Sequence, residues 1–215
     1  LKEIGKIEDL AQGEKIYSVR FIGKIGYVVT FEQIDPLFVI DLSDPYNPVV
    51  KGQLKIPGYS SYLHPYDETH IIGIGYNTES NGYGGVRNTT LKMSMFDISD
   101  LENPKEIFNV SIGNEKSSSE IINEHKALFY NKQKNLIGFP VYFQQAPDYK
   151  DSFVIYKIDM EKGFERYGEI SEGSKRYNYN SRMIYIGETI YVIRYDEIIS
   201  YNMNDLKEIG RVELK

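Results

Sequence analysis

The chain has 215 residues and a net charge of −6, from 31 acidic and 25 basic residues, and it contains no cysteine. The lack of cysteine excludes disulfides, thiolate nucleophiles and cysteine-ligated metals. No basic cluster stands out, which argues against nucleic acid as a partner. No apolar run approaches the roughly 20 residues that a membrane-spanning helix needs, so no membrane span is expected.

Strand signals begin near the N-terminal end and follow one another at short intervals. Residues Lys15–Ile22 alternate, with Ser18 and Arg20 on the same face as Ile16 and Ile22. A turn at Gly23-Lys24 leads into 26–31, and 37–42 and 49–56 follow after breaks that contain proline. Four strands with short connections predict an antiparallel meander.

The same plan recurs along the chain and predicts blades over 15–56, 59–112, 117–171 and 177–215. Their third strands align on Asp41, Asp97, Lys157 and Asn202, at spacings of 56, 60 and 45 residues. Such periods are typical of propeller blades, whose stacking buries the apolar face that a lone meander leaves open. The predicted fold is all-β, a β-propeller segment of four four-stranded antiparallel blades. Helical periodicity is weak, with at most one turn over 117–123.

The turns between the third and fourth strands of the first two copies share a motif. Asp44 and Asn47 flank the first turn and are each followed by a proline. Asp100 and Asn103 take the same places in the second turn, where only Asn103 is followed by a proline. An aspartate that starts a turn commonly accepts backbone N–H groups two residues further on. We therefore expect both aspartates to accept backbone hydrogen bonds within their own turns. The third and fourth copies lack this motif.

Two stretches, Ile16–Gly75 and Arg182–Leu214, resemble the bacterial and archaeal family of secreted proteins with a C-terminal β-propeller domain, distantly related to WD-type repeats. The segment VIDLSDPYNP, from Val39 to Pro48, also looks like the LVIVD-type repeats of cell-surface propellers. The resemblance implies a propeller fold and an extracytoplasmic location, secreted or on the cell surface. It implies no established activity, no catalytic residues and no cofactor.

Histidines supply the first candidate binding residues. His64, Asp67 and His70 fall within seven residues and suggest a metal, but a strand–turn–strand would spread them apart and no fourth ligand is evident, so no metal is predicted. His125 is expected to start an inner strand over 126–130, where it would line the central channel or act as a structural histidine.

Tyrosines and carboxylates supply the remaining candidates. Tyr62 and Tyr66 belong to a tyrosine-rich stretch of the second copy, and exposed tyrosines bind sugars or proteins, although packing between blades also uses them. Glycosidases need paired carboxylates. Two such pairs occur, Glu32 with Asp35 and Asp196 with Glu197, but both lie at strand connections where acids are common.

These features favour a non-enzymatic binding or scaffold module whose partner is a protein or a cell-envelope component. The alternative is a hydrolase that acts on envelope polysaccharide, with its site on the channel face. A converging group of acidic residues or histidines at one mouth of the channel would favour the hydrolase, whereas an isolated binding surface would favour the module.

The segment Leu1–Ile7 (LKEIGKI) repeats Leu206–Val212 (LKEIGRV), which is predicted to be the outer strand of the fourth blade. Residues 1–10 are therefore expected to be the outer strand of a preceding blade. We expect the chain to be an open arc of a larger ring and a piece of a longer protein. Its exposed apolar faces would self-associate or dock on an N-terminal half.

Overall fold

The computed structural model describes residues 1–31, 35–83, 85–145, 148–171 and 180–214, with residues 35, 145, 148 and 149 described for their backbone alone. The sixteen strands are β1 Lys15–Ile22, β2 Ile25–Phe31, β3 Asp35–Asp41, β4 Val49–Ile56, β5 Tyr59–Pro65, β6 His70–Ser80, β7 Val86–Asp97, β8 Lys105–Ile112, β9 Phe129–Asn131, β10 Leu136–Gln145, β11 Asp148–Asp159, β12 Gly163–Ser171, β13 Arg182–Ile186, β14 Thr189–Ile193, β15 Glu197–Asn202 and β16 Glu208–Glu213.

Each set of four consecutive strands forms one antiparallel sheet in chain order, so the prediction of four four-stranded blades is confirmed. We number them blade 1 (β1–β4) to blade 4 (β13–β16). Blades 1 and 2 lie in one compact unit, Leu1–Ile112, and blades 3 and 4 in a second, Gly113–Lys215. The helical turns of the described residues are two single-turn 3₁₀ helices, Glu120–Ile122 and His125–Ala127, the first within the turn predicted over 117–123. Neither is long or apolar enough to cross a membrane.

One backbone hydrogen bond recurs in all four blades and confirms the predicted alignment of their third strands. The residue after each aligned position donates its N–H to a carbonyl in the turn before the second strand, at 2.7–2.9 Å. The four pairs are Leu42 with Lys24, Ile98 with Thr69, Ile158 with Asn135 and Met203 with Glu188. The four copies are thus equivalent in register as well as in strand count.

The core of the first unit lies between blades 1 and 2. Side chains alternate across a strand, so β2 and β3 send one set of apolar residues toward blade 2 and the other set to the opposite face. The set that includes Tyr27 and Val39 packs with Leu63, Ile71 and Phe96 of blade 2, all of them buried. This shared cluster holds the two blades together.

The opposite face of blade 1 is partly covered by the N-terminal segment. Residues 1–14 form no strand, and Ile7 and Leu10 pack against a small buried cluster that includes Val28 and Phe38. Gly5 lies against the turn between β3 and β4, where a Cβ added to Gly5 would be 2.2 Å from the Pro45 carbonyl oxygen. The predicted outer strand over 1–10 therefore finds no strand partner among the described residues, and its place in a preceding blade stays a prediction, as does the open arc.

Both aspartate turns form as predicted. Asp44 Oδ1 accepts the backbone N–H of Tyr46 at 3.0 Å, and Asp44 Oδ2 accepts the side-chain amide of Asn47 at 2.8 Å. Asp100 makes the same two bonds, with the N–H of Glu102 at 3.0 Å and the amide of Asn103 at 2.9 Å. The asparagine in each motif thus completes the turn by bonding the second carboxylate oxygen.

These turns predict a specific acid dependence of stability. The asparagine amide and then the backbone N–H hold the pKa of Asp44 and of Asp100 below the ordinary value. A pKa that is lower in the folded than in the unfolded state gives stability that is complete above the unfolded value, near 3.9, and is lost as the pH falls through the folded pKa. We expect the double variant Asp44→Asn, Asp100→Asn to show a shallower loss of unfolding free energy on acidification, measured by urea titrations at a series of pH values. An unchanged acid slope would contradict the role given to these carboxylates.

The Gly-rich sequence over 77–88 predicts a long connection between β6 and β7, and this prediction is wrong because the hairpin pairs much further. The β6–β7 ladder continues from Thr78 opposite Asn88 to Ser80 opposite Val86. Asn81 closes the short turn, since its Oδ1 accepts the N–H groups of Tyr83 at 2.9 Å and Gly85 at 3.0 Å. The hydrogen bonds to one asparagine side chain therefore close a short turn where the glycines favoured a long loop.

Candidate functional site: the inner-strand cluster

The first strands of blades 1 and 2 are linked to each other by side chains. Both β1 and β5 lie at an edge of their own sheets, where one row of backbone groups has no neighbouring strand. The Ser18 hydroxyl donates to the Ser60 carbonyl at 3.1 Å, and Arg20 Nε donates to the Leu63 carbonyl at 2.8 Å. Two polar residues of β1 therefore satisfy carbonyls of β5.

Arg20, Tyr62 and His64 form a half-buried group that we call the inner-strand cluster. The Arg20 guanidinium carbon lies 5.4 Å from the centroid of the Tyr62 ring, within the range of a cation–π contact. The Tyr62 hydroxyl lies 3.1 Å from His64 Nδ1, and the two rings stack at an interplanar angle of 29°. Residues two apart on a strand share a face, which explains why Tyr62 and His64 meet.

The electrostatics of the cluster favour an anion. Burial raises the pKa of Tyr62 above its ordinary value, against the opposing effect of the Arg20 charge, so the phenol stays protonated and can donate at neutral pH. Among the arginines of the described residues, Arg20 is the one that has no carboxylate within 4 Å. The others are each within that distance of a glutamate: Arg87, Arg166, Arg182, Arg194 and Arg211.

The structure separates the residues that suggested a metal. Asp67 and His70 meet in the β5–β6 turn, where Asp67 Oδ1 lies 2.9 Å from His70 Nδ1 and accepts the N–H of Thr69 at 2.9 Å. His64 instead pairs with Ile72 within the hairpin and contacts Tyr62. Across the described part of the chain, no three histidine or carboxylate side chains gather in a geometry that would hold a metal ion.

The other two sequence candidates lie apart from the cluster or inside the core. Tyr66 is buried with 8% of its surface exposed, so it offers little to a ligand. The prediction that His125 begins an inner strand was wrong. His125 starts a 3₁₀ turn that is capped by Glu124, whose side chain accepts the N–H of Lys126, and β9 begins only at Phe129. His125 belongs to the second unit, and 70% of its side chain is exposed.

The Asp196–Glu197 pair does not have the form of a glycosidase pair. Glu197 is buried and is engaged by cations, with Oε2 2.6 Å from Arg211 and Oε1 3.6 Å from Arg194. A carboxylate held between two guanidinium groups stabilises its own blade. The side chains of the other candidate pair, Glu32 and Asp35, lie outside the described residues.

Sequence reasoning identified Tyr62 and His64 but missed Arg20. A signal was present, because the alternation of β1 places Ser18 and Arg20 on the same face as Ile16 and Ile22. Two polar residues on a strand face that also carries isoleucines indicate that they donate hydrogen bonds there, either to backbone carbonyls or to a ligand. Which carbonyls these are depends on a strand some 40 residues later in the chain.

Comparison with known proteins supports the fold. A protein of Archaeoglobus fulgidus is 35% identical over 216 residues, covering all of this chain and 30% of that protein. A protein of Methanocaldococcus jannaschii is 34% identical over 219 residues, with 100% and 31% coverage. Both are uncharacterised, and the chain spans about three-tenths of their length.

A solved structure adds a likeness of fold alone. Prolyl oligopeptidase B from Galerina marginata superposes with a TM-score of 0.55 at 11% identity, covering 95% of this chain and 30% of that one. The family model described as Beta propeller domain matches residues 1–206. Together with four four-stranded antiparallel sheets, this match establishes that the chain belongs to the Beta propeller domain family.

Proposed function

We propose that this chain is an extracytoplasmic, non-enzymatic binding and scaffold module whose partner is a protein of the cell envelope. The inner-strand cluster is the observation that carries the proposal. It presents a cation and a phenol hydroxyl at the junction of two blades, and it contains no carboxylate of its own. Such a group can hold a ligand, but it lacks the pair of carboxylates that a glycosidase needs.

Incubation of the protein with purified cell-envelope material distinguishes binding from hydrolysis. We expect the protein to cosediment with the envelope fraction while no new reducing ends appear in the polysaccharide. Release of reducing ends in proportion to protein concentration would support the hydrolase and contradict the binding module. Protease treatment of intact cells tests the location, since an extracytoplasmic protein is cleaved without lysis.

The scaffold part of the proposal is supported by the face of blade 1 that points away from blade 2. Beyond the area covered by the N-terminal segment, this face continues into Val19 and Phe21 of β1, which are 44% and 66% exposed. Phe21 lies over Gly26 and beside Leu42, so it extends the apolar surface of Val28 and Ile40. We propose that a further blade of the longer protein covers this strip.

The lack of cysteine makes this docking directly measurable. We expect Phe21→Cys to react rapidly with a maleimide in the 215-residue chain and at least about tenfold more slowly in the full-length protein, because a packed face excludes the reagent. Tyr83→Cys, at the tip of the β6–β7 hairpin with Tyr83 97% exposed, is the control and should react equally in both. Equal rates at position 21 would contradict the docking.

A further inference from the structure

We infer that the inner-strand cluster is a receptor for a carboxylate side chain of an acidic partner segment. The inference rests on the proposed binding function and names the chemical group, a carboxylate, that the site binds. Two observations carry the inference: the Arg20 side chain lies between β1 and β5, and the Tyr62 hydroxyl lies beside it.

Arg20 is half-buried and is fixed along one side. Its Nε–H bonds the Leu63 carbonyl at 2.8 Å, which holds the guanidinium plane in place beside the Tyr62 ring. A guanidinium has five N–H donors in a rigid fork, and its geometry matches both oxygens of a carboxylate. Since no carboxylate of the described residues approaches Arg20 within 4 Å, the two terminal nitrogens have no internal anion, unlike those of the arginines paired with glutamate.

The neighbours of Arg20 select the same kind of group. The Tyr62 hydroxyl lies 3.1 Å from His64 Nδ1, and when His64 donates in that hydrogen bond the single phenol proton is a second donor beside the cation. An ionised carboxylate only accepts hydrogen bonds, so it complements a fork and a phenol together. In a chain with more acidic than basic residues, a half-buried arginine with no acidic partner among the described residues suits a ligand that brings the acid with it.

The geometry favours a peptide over an acidic sugar. Sugar rings are bound by open aromatic faces, whereas the Tyr62 ring is already stacked by Arg20 and His64. The carbonyls of Ser60 and Leu63 already accept side-chain hydrogen bonds, so a partner that added a strand there would compete with Ser18 and Arg20. The charged fork, which no described carboxylate approaches within 4 Å, suits the side chain of a glutamate or aspartate.

Fluorescence anisotropy with a labelled glutamate-rich peptide tests the inference. We expect binding to the glutamate peptide, none to the same peptide with glutamine, and weakening by added salt. Arg20→Gln should lower the affinity about tenfold or more, since a hydrogen bond to a charged group is worth about 1.5–3 kcal/mol. Arg87→Gln is the matched control, because Arg87 lies on the exposed β6–β7 hairpin beside Glu79, and it should leave the affinity unchanged.

Two further variants keep the test decisive if Arg20→Gln folds poorly. Arg20→Lys retains the charge but loses the fork, and Tyr62→Phe retains the ring but loses the hydroxyl. Each should weaken binding of the glutamate peptide by about threefold or more. Equal binding of the glutamine peptide, or wild-type affinity in the Arg20 variants, would overturn the inference.

The outcomes also separate this inference from the proposed function. Tighter binding of an oligogalacturonate than of the glutamate peptide would show that the site reads an acidic sugar and would overturn the peptide assignment. Envelope cosedimentation that survives Arg20→Gln, with no peptide binding by the wild type, would contradict the inference and leave the binding module intact. If the wild-type protein neither cosediments with the envelope nor binds the glutamate peptide, both the binding module and the carboxylate receptor are contradicted.

Discussion

Replacement of Gly75 by alanine is expected to destabilise the first unit severely. A Cβ at this position of β6 would lie 1.7 Å from the Tyr59 carbonyl oxygen of the paired strand β5. Backbone of a paired strand cannot move aside as a flexible side chain can, so the clash must separate the two strands. Overpacking costs about 1–3 kcal/mol and occasionally more, and a clash with backbone places Gly75→Ala at the upper end of that range, a large part of the stability of a domain. The measurement is the free energy of unfolding from urea titrations.

Gly210→Ala is the matched control, because Gly210 also lies in a strand. A Cβ there would meet only the Ser200 hydroxyl oxygen, at an ordinary contact distance of 3.7 Å. We expect its effect to stay within about 1 kcal/mol. Similar unfolding free energies for the two variants would contradict the close approach of β5 and β6 at Gly75.

The second large effect is expected for Phe96→Ala. Phe96 of β7 is 1% exposed and belongs to the cluster that joins blades 1 and 2, together with Leu63 and Ile71. Removal of a buried phenylalanine costs about 3–5 kcal/mol, from lost burial and from the cavity left behind. Calorimetry should show a lower melting temperature for the first unit.

Phe21→Ala provides the comparison, since it removes the same atoms from a side chain that is 66% exposed. Its cost in the 215-residue chain should be within about 0.5 kcal/mol, as for most surface substitutions. A larger loss for Phe21→Ala than for Phe96→Ala would contradict the burial of Phe96 between blades 1 and 2.

Much of the fold could be predicted because its signals are local. Alternation along 15–22 and the turns at Asp44 and Asp100 depend on residues within a few positions of each other, and the structure reproduces them. The repeat register could also be predicted, since equivalent third strands end at the same point in each blade. The errors at 77–88 and 126–130 arose where one side chain, Asn81 or Glu124, bonds the backbone in a way that composition does not reveal.

The candidate site was only half predictable for a different reason. Tyr62 and His64 are two residues apart on one strand, so their contact follows from strand periodicity. Arg20 reaches them from another blade, and its bond to Leu63 depends on how blades 1 and 2 pack. Single-sequence reasoning places residues on faces of strands, but it does not say which strands face each other.

A crystal structure of the protein bound to a glutamate-rich peptide would test the ligand chemistry most directly. We predict a peptide carboxylate within hydrogen-bonding distance of the terminal nitrogens of Arg20 and of the Tyr62 hydroxyl, with the Arg20 Nε bond to Leu63 retained. A peptide bound elsewhere on the surface, with the contacts of Arg20 still confined to Leu63 and Tyr62, would contradict the assignment.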